Sequence, residues 1–281
     1  MKLHFTKMHG AGNDYIYVNC FVENIPEPEQ VAKIVSDRHF GIGSDGLVLI
    51  MPSDTADVRM RMFNADGSEG KMCGNASRCV GKYVYENGLV RKTEITMETL
   101  SGIKRLFLEV ENDKVKSVTV DMGRPVLTPS LIPVLGNGDS FIGQPVMVND
   151  ICYRMTAVSM GNPHSVIFCG EVAFLPLAEM GPDFENLPIF PERVNTEFVR
   201  VIDQKMLEMR VWERGSGETL ACGTGACASA VAAVLNGYCK QGEEITVKLL
   251  GGELKITYTT EGRVMMRGSA THVFDGVINL A

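Results

Sequence analysis

Met72-Cys73-Gly74-Asn75-Ala76-Ser77-Arg78-Cys79 opens a stretch of good helix formers that runs to Glu86 and stops at Asn87-Gly88. Ala221-Cys222-Gly223-Thr224-Gly225-Ala226 opens a second one, which runs to Leu235 and stops at Asn236-Gly237. Each stop is the Asn-Gly pair that ends helices through a left-handed residue. The two cysteines are 149 residues apart. Sliding the chain over itself by that offset also matches Gly12-Asn13 with Gly161-Asn162, Cys20 with Cys169, Asp54 with Asp203, Met60-Arg61 with Met209-Arg210 and Glu69 with Glu218. Beyond residue 93 the offset becomes 150, matching Glu94-Ile95-Thr96 with Glu244-Ile245-Thr246. Gly and Asn at matched loop positions, with Cys-Gly at matched helix starts, specify one backbone geometry twice.

The expectation is therefore two copies of one αβ domain, joined in the Pro/Gly-rich stretch between Arg124 and Gly143. The domains are drawn as 1–128, carrying Cys73, and 129–281, carrying Cys222, with the extreme C-terminal strand free to pack back on the first. Short β-branched and aromatic runs bounded by turn residues predict strands from Tyr15–Val18 to Arg263–Gly268. Glu29–Arg38 and Phe174–Phe184 are further helix candidates, the second interrupted by Gly181-Pro182. The class is α+β.

Composition narrows the function. Of 281 residues, 45% are hydrophobic and 22% charged, a globular balance. A net charge of −7 offers no basic field for a nucleic-acid backbone. No apolar run approaches the ~20 residues of a membrane helix, and no signal-peptide core follows Met1, so a soluble protein of the reducing cytoplasm is expected. The eight cysteines lack the close C-x2-C pairs of a zinc site, so no metal is expected. Cys20, Cys152, Cys169 and Cys239 lie in apolar surroundings and read as small packed hydrophobes.

Cys73 and Cys222 differ because each begins a helix. A helix N-terminus presents backbone N–H groups and a positive dipole end, which bind a carboxylate and favour thiolate over thiol. Two such cysteines facing each other across a cleft could serve one carbon, one removing a proton and the other delivering one to the opposite face. Glycines after each cysteine let backbone approach a ligand, although neither segment is a Walker or dinucleotide motif. Asn13, Asn64, Asn162 and Asn195 supply hydrogen-bonding amides and Arg214 a cation for a second carboxylate. His164, in the turn Gly161-Asn162-Pro163-His164, and Glu213 are placed to tune a thiol.

At these residues the chain resembles the diaminopimelate epimerases. The resemblance runs from Lys7-Met8-His9-Gly10-Ala11-Gly12-Asn13-Asp14 through Phe63-Asn64-Ala65-Asp66-Gly67-Ser68, Met72-Cys73-Gly74-Asn75, Gly161-Asn162-Pro163-His164 and Glu213-Arg214-Gly215 to Ala221-Cys222-Gly223-Thr224-Gly225. It implies two similar pseudo-symmetric α/β domains of the family's epimerase fold, with the active site in the cleft between them. It also implies a cofactor-independent isomerase in which Cys73 and Cys222 are the acid/base pair. By the same resemblance, Gly74, Asn75, Gly223 and Thr224 hold the reacting carboxylate through backbone amides. Asn13, Asn64, Asn162, Asn195, Glu213 and Arg214 contact the rest of the amino acid, and His164 and Glu213 modulate the cysteines. Diaminopimelate is the implied small-molecule partner, and a second copy of the chain is a candidate partner. Some members carry glutamine where Gly46 stands here, which removes one side-chain contact. The rival readings are a proline racemase or hydroxyproline epimerase, a thiol-dependent hydrolase, and a noncatalytic amino-acid-binding protein.

Overall fold

The computed structural model describes residues 2–136 and 138–280. The chain begins β1 (Lys2–Gly10), β2 (Asn13–Asn19), α1 (Pro28–Ser36), β3 (Gly46–Met51), β4 (Val58–Asn64), β5 (Glu69–Gly70), α2 (Gly74–Glu86), β6 (Glu94–Thr99), β7 (Gly102–Glu111) and β8 (Lys114–Gly123). It continues β9 (Gln144–Val148), β10 (Ile151–Ser159), β11 (Pro163–Phe168), α3 (Leu177–Glu185), β12 (Asn195–Asp203), β13 (Met206–Glu213), β14 (Gly217–Glu218), α4 (Gly223–Leu235), β15 (Glu244–Leu249), β16 (Gly252–Tyr258), β17 (Val264–Gly268) and β18 (Thr271–Asn279). This is the α+β class with few helices. Two units form, residues 1–121 with 267–281, and residues 122–266. The break at Asp121/Met122 precedes the expected 128/129 because it falls within β8, not in the loop that follows.

In the first unit β1 pairs antiparallel with β2, and β2 runs parallel to β3. Next come β4 antiparallel to β3, β6 parallel to β4, and the β6–β7–β8 meander. The second unit repeats the pattern: β10–β11 antiparallel, β11–β12 parallel, β12–β13 antiparallel, β13–β15 parallel, β15–β16 antiparallel. Register repeats as well. Ile16 pairs with Leu47 and Ser165 with Thr196; Leu47 pairs with Phe63 and Thr196 with Trp212, each at the same 149-residue offset.

The central strands β2 and β3 of the first unit carry near-continuous apolar runs and are buried on both faces. In the first unit Leu47, Leu49, Ile16 and Val18 pack under Val31, Ala32 and Val35 of α1, while the alternate residues Val48, Ile50 and Tyr17 are buried on the other face. Helix α4, built largely of Ala and Gly, is buried nearly all round.

Strand β1 escaped the sequence reading; the extreme C-terminal strand, β18, pairs with it in the first unit. β1 mixes Lys and His into its apolar residues, and a bulge between Lys7 and Met8 breaks its alternation with β18. In β18, Gly276 reads as a breaker, yet it lies under the ring of Phe5: a Cβ at Gly276 would come 2.5 Å from Phe5 Cζ. β18 occupies beside β1 the place that β9 occupies beside β10. Helix α3 runs through Gly181-Pro182, which the sequence reading took as an interruption; Gly181 is needed because the Trp212 indole lies 2.2 Å from where its Cβ would be. Cys152 is exposed on β10 and not packed, and none of the eight cysteines forms a disulfide.

Candidate active site

Cys73 and Cys222 are the N-caps of α2 and α4, both in extended backbone conformation, with φ/ψ of −133°/122° and −114°/108°. An N-cap side chain stands beside a first turn whose backbone N–H groups have no partner inside the helix; the Cys73 side chain makes no cap hydrogen bond there. At α4 the thiol acts as the cap: Gly225 N–H donates to Cys222 Sγ at 3.4 Å.

In the first unit the Gly12-Asn13 turn meets the start of α2. Asn13 Oδ1 accepts from the Cys73 thiol at 3.4 Å and from Asn75 Nδ2 at 3.3 Å. Asn13 Nδ2 donates to Asp45 Oδ2 at 2.7 Å. Arg38 bonds both Asp14 and Asp45 at 3.0 Å, and Lys7 pairs with Asp14 at 2.9 Å. Burial and the neighbouring Asp14 carboxylate push Asp45 above the usual carboxylate range. Arg78, fully buried in α2, donates to Asn75 Oδ1 at 2.9 Å and to Ser269 O at 3.1 Å. The side chain of Asn75 is thus engaged within the protein, and its backbone N–H is the group left at the helix start. Asn64 is exposed and donates to Ser68 Oγ at 3.0 Å.

The second unit places different chemistry in the same frame. Thr224 Oγ1 lies 3.5 Å from Cys222 Sγ and accepts from Asn162 Nδ2 at 3.4 Å. Asn162 Oδ1 meets His164 Nε2 at 3.0 Å, and His164 Nδ1 meets Glu197 Oε1 at 2.7 Å. His164 and Glu197 are both wholly inaccessible. The sequence reading placed His164 to tune a thiol; the structure buries it behind Asn162. Glu213 accepts the Thr219 hydroxyl. The Cys222 thiol is pushed well above its ordinary value, first by burial and then by the Glu213 and Glu197 carboxylates; Thr224 and the Gly225 N–H oppose the shift without cancelling it. The helix N-terminus therefore does not bring this thiol toward neutrality as expected, since two carboxylates and the loss of water outweigh it.

The loop after β13 is held by a residue the sequence did not single out. Glu185 accepts from Gly215 N–H at 2.9 Å, Trp212 Nε1 at 2.8 Å and Arg193 at 2.8 Å. Arg214 donates from its backbone N–H to Asn195 Oδ1 at 3.0 Å and from Nη1 to Glu192 O at 2.8 Å. Asn195 also donates to Pro163 O at 2.8 Å, so both ends of its buried amide are engaged with backbone. Gly46, its counterpart, is no mere loss of a contact. A Cβ there would lie 2.0 Å from Phe63 O, so no side chain fits on that stretch of β3. Among the described residues no cluster of three or more His, Cys, Asp or Glu is placed to hold a metal, and no helix is long and apolar enough to cross a membrane.

The fold is shared with solved proteins of low sequence identity. A probable proline racemase from Agrobacterium radiobacter K84 superposes with a TM-score of 0.73 over 99% of this chain and 93% of its own, at 14% identity. A PhzF-family phenazine biosynthesis protein from Bacillus anthracis gives 0.71 over 100% of both chains at 17% identity. Sequence places the chain more narrowly. The family model for diaminopimelate epimerase matches residues 5–128 and 156–273. Proteins named diaminopimelate epimerase are 57% identical in Acetivibrio thermocellus, over 99% of both chains, and 58% identical in Desulfovibrio desulfuricans, over 98% of both. The chain belongs to the diaminopimelate epimerase family, a family of isomerases.

Proposed function

We propose that this enzyme interconverts LL- and meso-2,6-diaminopimelate, a step toward lysine and peptidoglycan precursors, by two-base proton transfer between Cys73 and Cys222. The observation that carries the reading is the doubled cap: the same Cys-Gly opens α2 and α4, with a cysteine as the N-cap residue of each helix. One thiolate takes the α-proton as the other thiol gives one to the opposite face, so configuration inverts. The chemistry requires both thiols to reach one α-carbon in the substrate-bound enzyme. The N–H groups of Gly74, Asn75, Gly223 and Thr224 would hold the α-carboxylate as negative charge develops beside it. Arg214, with guanidinium N–H groups beyond the one given to Glu192 O, would take the distal carboxylate. Asn13, Asn64, Asn162, Asn195 and Glu213 would contact the rest of the substrate. The active unit would lie in the cytoplasm, where thiols stay reduced, and a homodimer is included in the reading.

In deuterated water, LL-diaminopimelate should gain one deuterium at the α-carbon per inversion, with neither pyridoxal phosphate nor metal added. Inversion without solvent label would remove the two-base mechanism. Arg214→Ala should raise KM more for diaminopimelate than for a monocarboxylate amino acid, and an equal rise for both would take Arg214 off the distal carboxylate.

A further inference from the structure

Glu197 is the buried charged group that the reaction leaves unassigned. It stands in β12 opposite Val166, at the position where β3 has Val48 opposite Tyr17. Its side chain is wholly inaccessible; Oε1 meets His164, and Oε2 has no hydrogen-bond partner. The fold makes room for it. A Cβ on Gly225 would come 2.6 Å from Glu197 Oε1, and the matching residue of α2 is Ala76.

The hydrogens of the chain can be counted. Asn162 Oδ1 only accepts, so His164 Nε2, 3.0 Å away, carries a hydrogen. One proton is then left between Nδ1 and Glu197 Oε1, giving glutamic acid beside imidazole or carboxylate beside imidazolium, with zero net charge either way. Because Asn162 gives its oxygen to the histidine, it turns its NH2 to Thr224 Oγ1. The threonine hydrogen, no longer needed there, has Cys222 Sγ as its acceptor.

We infer that Glu197 is a positioning residue for Cys222. By holding one proton with His164 it keeps Nε2–H on Asn162, and so fixes the donor direction of the whole chain, which ends with the Thr224 hydroxyl donating to sulfur. Its catalytic consequence rests on the two-base reading above. The charged groups facing Cys222 are Glu213 from β13 and Glu197 from β12, with the Gly225 N–H opposing them; those facing Glu197 are His164 from β11 and Glu213. The Glu197 carboxylate itself raises the Cys222 thiol, so losing that charge alone would lower the midpoint, and a rise in a Glu197→Val protein would report the lost hydroxyl donor outweighing it.

The test measures the pH dependence of Cys222 alkylation by iodoacetamide, followed by peptide mass spectrometry. In Glu197→Val, which copies the residue of the other unit, the midpoint should rise by about one unit and kcat fall about tenfold or more, with KM nearly unchanged. Glu197→Gln can donate to Nδ1 and preserve the direction, so it should restore the midpoint. A folded Val variant with wild-type midpoint, or a Gln variant shifted as far as Val, would overturn the inference. Histidine-selective 15N NMR of the wild-type protein needs no variant: His164 should carry its hydrogen on Nε2, and a bare Nε2 beside a protonated Nδ1 would overturn the inference. Neither readout needs substrate. If the protein fails to epimerise diaminopimelate the relay is still judged, and if it epimerises with an unshifted Val variant only the relay falls.

Discussion

The walls around Cys73 and Cys222 share a backbone and differ in what stands behind it. Behind Cys73, Asn13 leads to Asp45, a partly exposed carboxylate bonded by Arg38. Behind Cys222, Thr224 and Asn162 lead to His164 and Glu197, with no water access. A duplicated frame holds two thiols at equivalent cap positions with different side chains beneath them.

The largest effect should come from removing either thiol. Cys73→Ala and Cys222→Ala should each lower kcat about 1,000-fold or more in both directions, measured by isomer-resolved chromatography. Full activity in either variant would end the pairing. Next is stability. Arg61 and Arg210 make matching bidentate bonds to Glu69 and Glu218, at 2.7 and 3.0 Å in both units. Only Arg210 also donates to the carbonyls of Val172, Ala173 and Leu175. Arg210→Ala should therefore cost about 3 kcal/mol in denaturant unfolding, and Arg61→Ala about 1 kcal/mol. Equal costs would show that the carbonyl contacts add nothing.

A reciprocal exchange sharpens the difference at the helix starts. Gly225→Ala should destabilise by about 2 kcal/mol because the methyl meets Glu197, even though alanine is the better helix former. Ala76→Gly meets no such group and should cost about 1 kcal/mol. A stabilised Gly225→Ala protein would mean that Glu197 readily vacates that space. The smallest shift concerns pH. Burial chiefly, then the Glu213 and Glu197 carboxylates, hold the Cys222 thiol up, so thiolate forms only at alkaline pH. Glu213→Gln removes one repulsive charge and should lower the Cys222 alkylation midpoint by about half a unit, opposite in sign to Glu197→Val. A midpoint that rises would take the Glu213 charge out of the account.

The repeat, the helices 74–86 and 223–235 and their cap cysteines were legible because each rests on local signals: Cys-Gly openings, Asn-Gly stops and a fixed offset. Strand β1 was not, because Lys and His interrupt its apolar residues and its register with β18 is set across most of the chain, where Gly276 owes its place to the ring of Phe5. Glu197 hid for a related reason. Inside Asn195-Thr196-Glu197-Phe198 it resembles any polar strand residue, and only pairing with β11 brings it to His164. Gly46 was misread as a missing contact since the steric demand of Phe63 O belongs to the neighbouring strand.

The pairing of β1 with β18 also sets an order of assembly. Residues 122–266 form a contiguous unit, whereas the other unit draws on both ends of the chain. During synthesis at roughly 5–20 residues per second, β1 emerges tens of seconds before its partner strand is made. The unit encoded second is thus fully synthesised first, and the unit that carries Cys73 waits for its last strand.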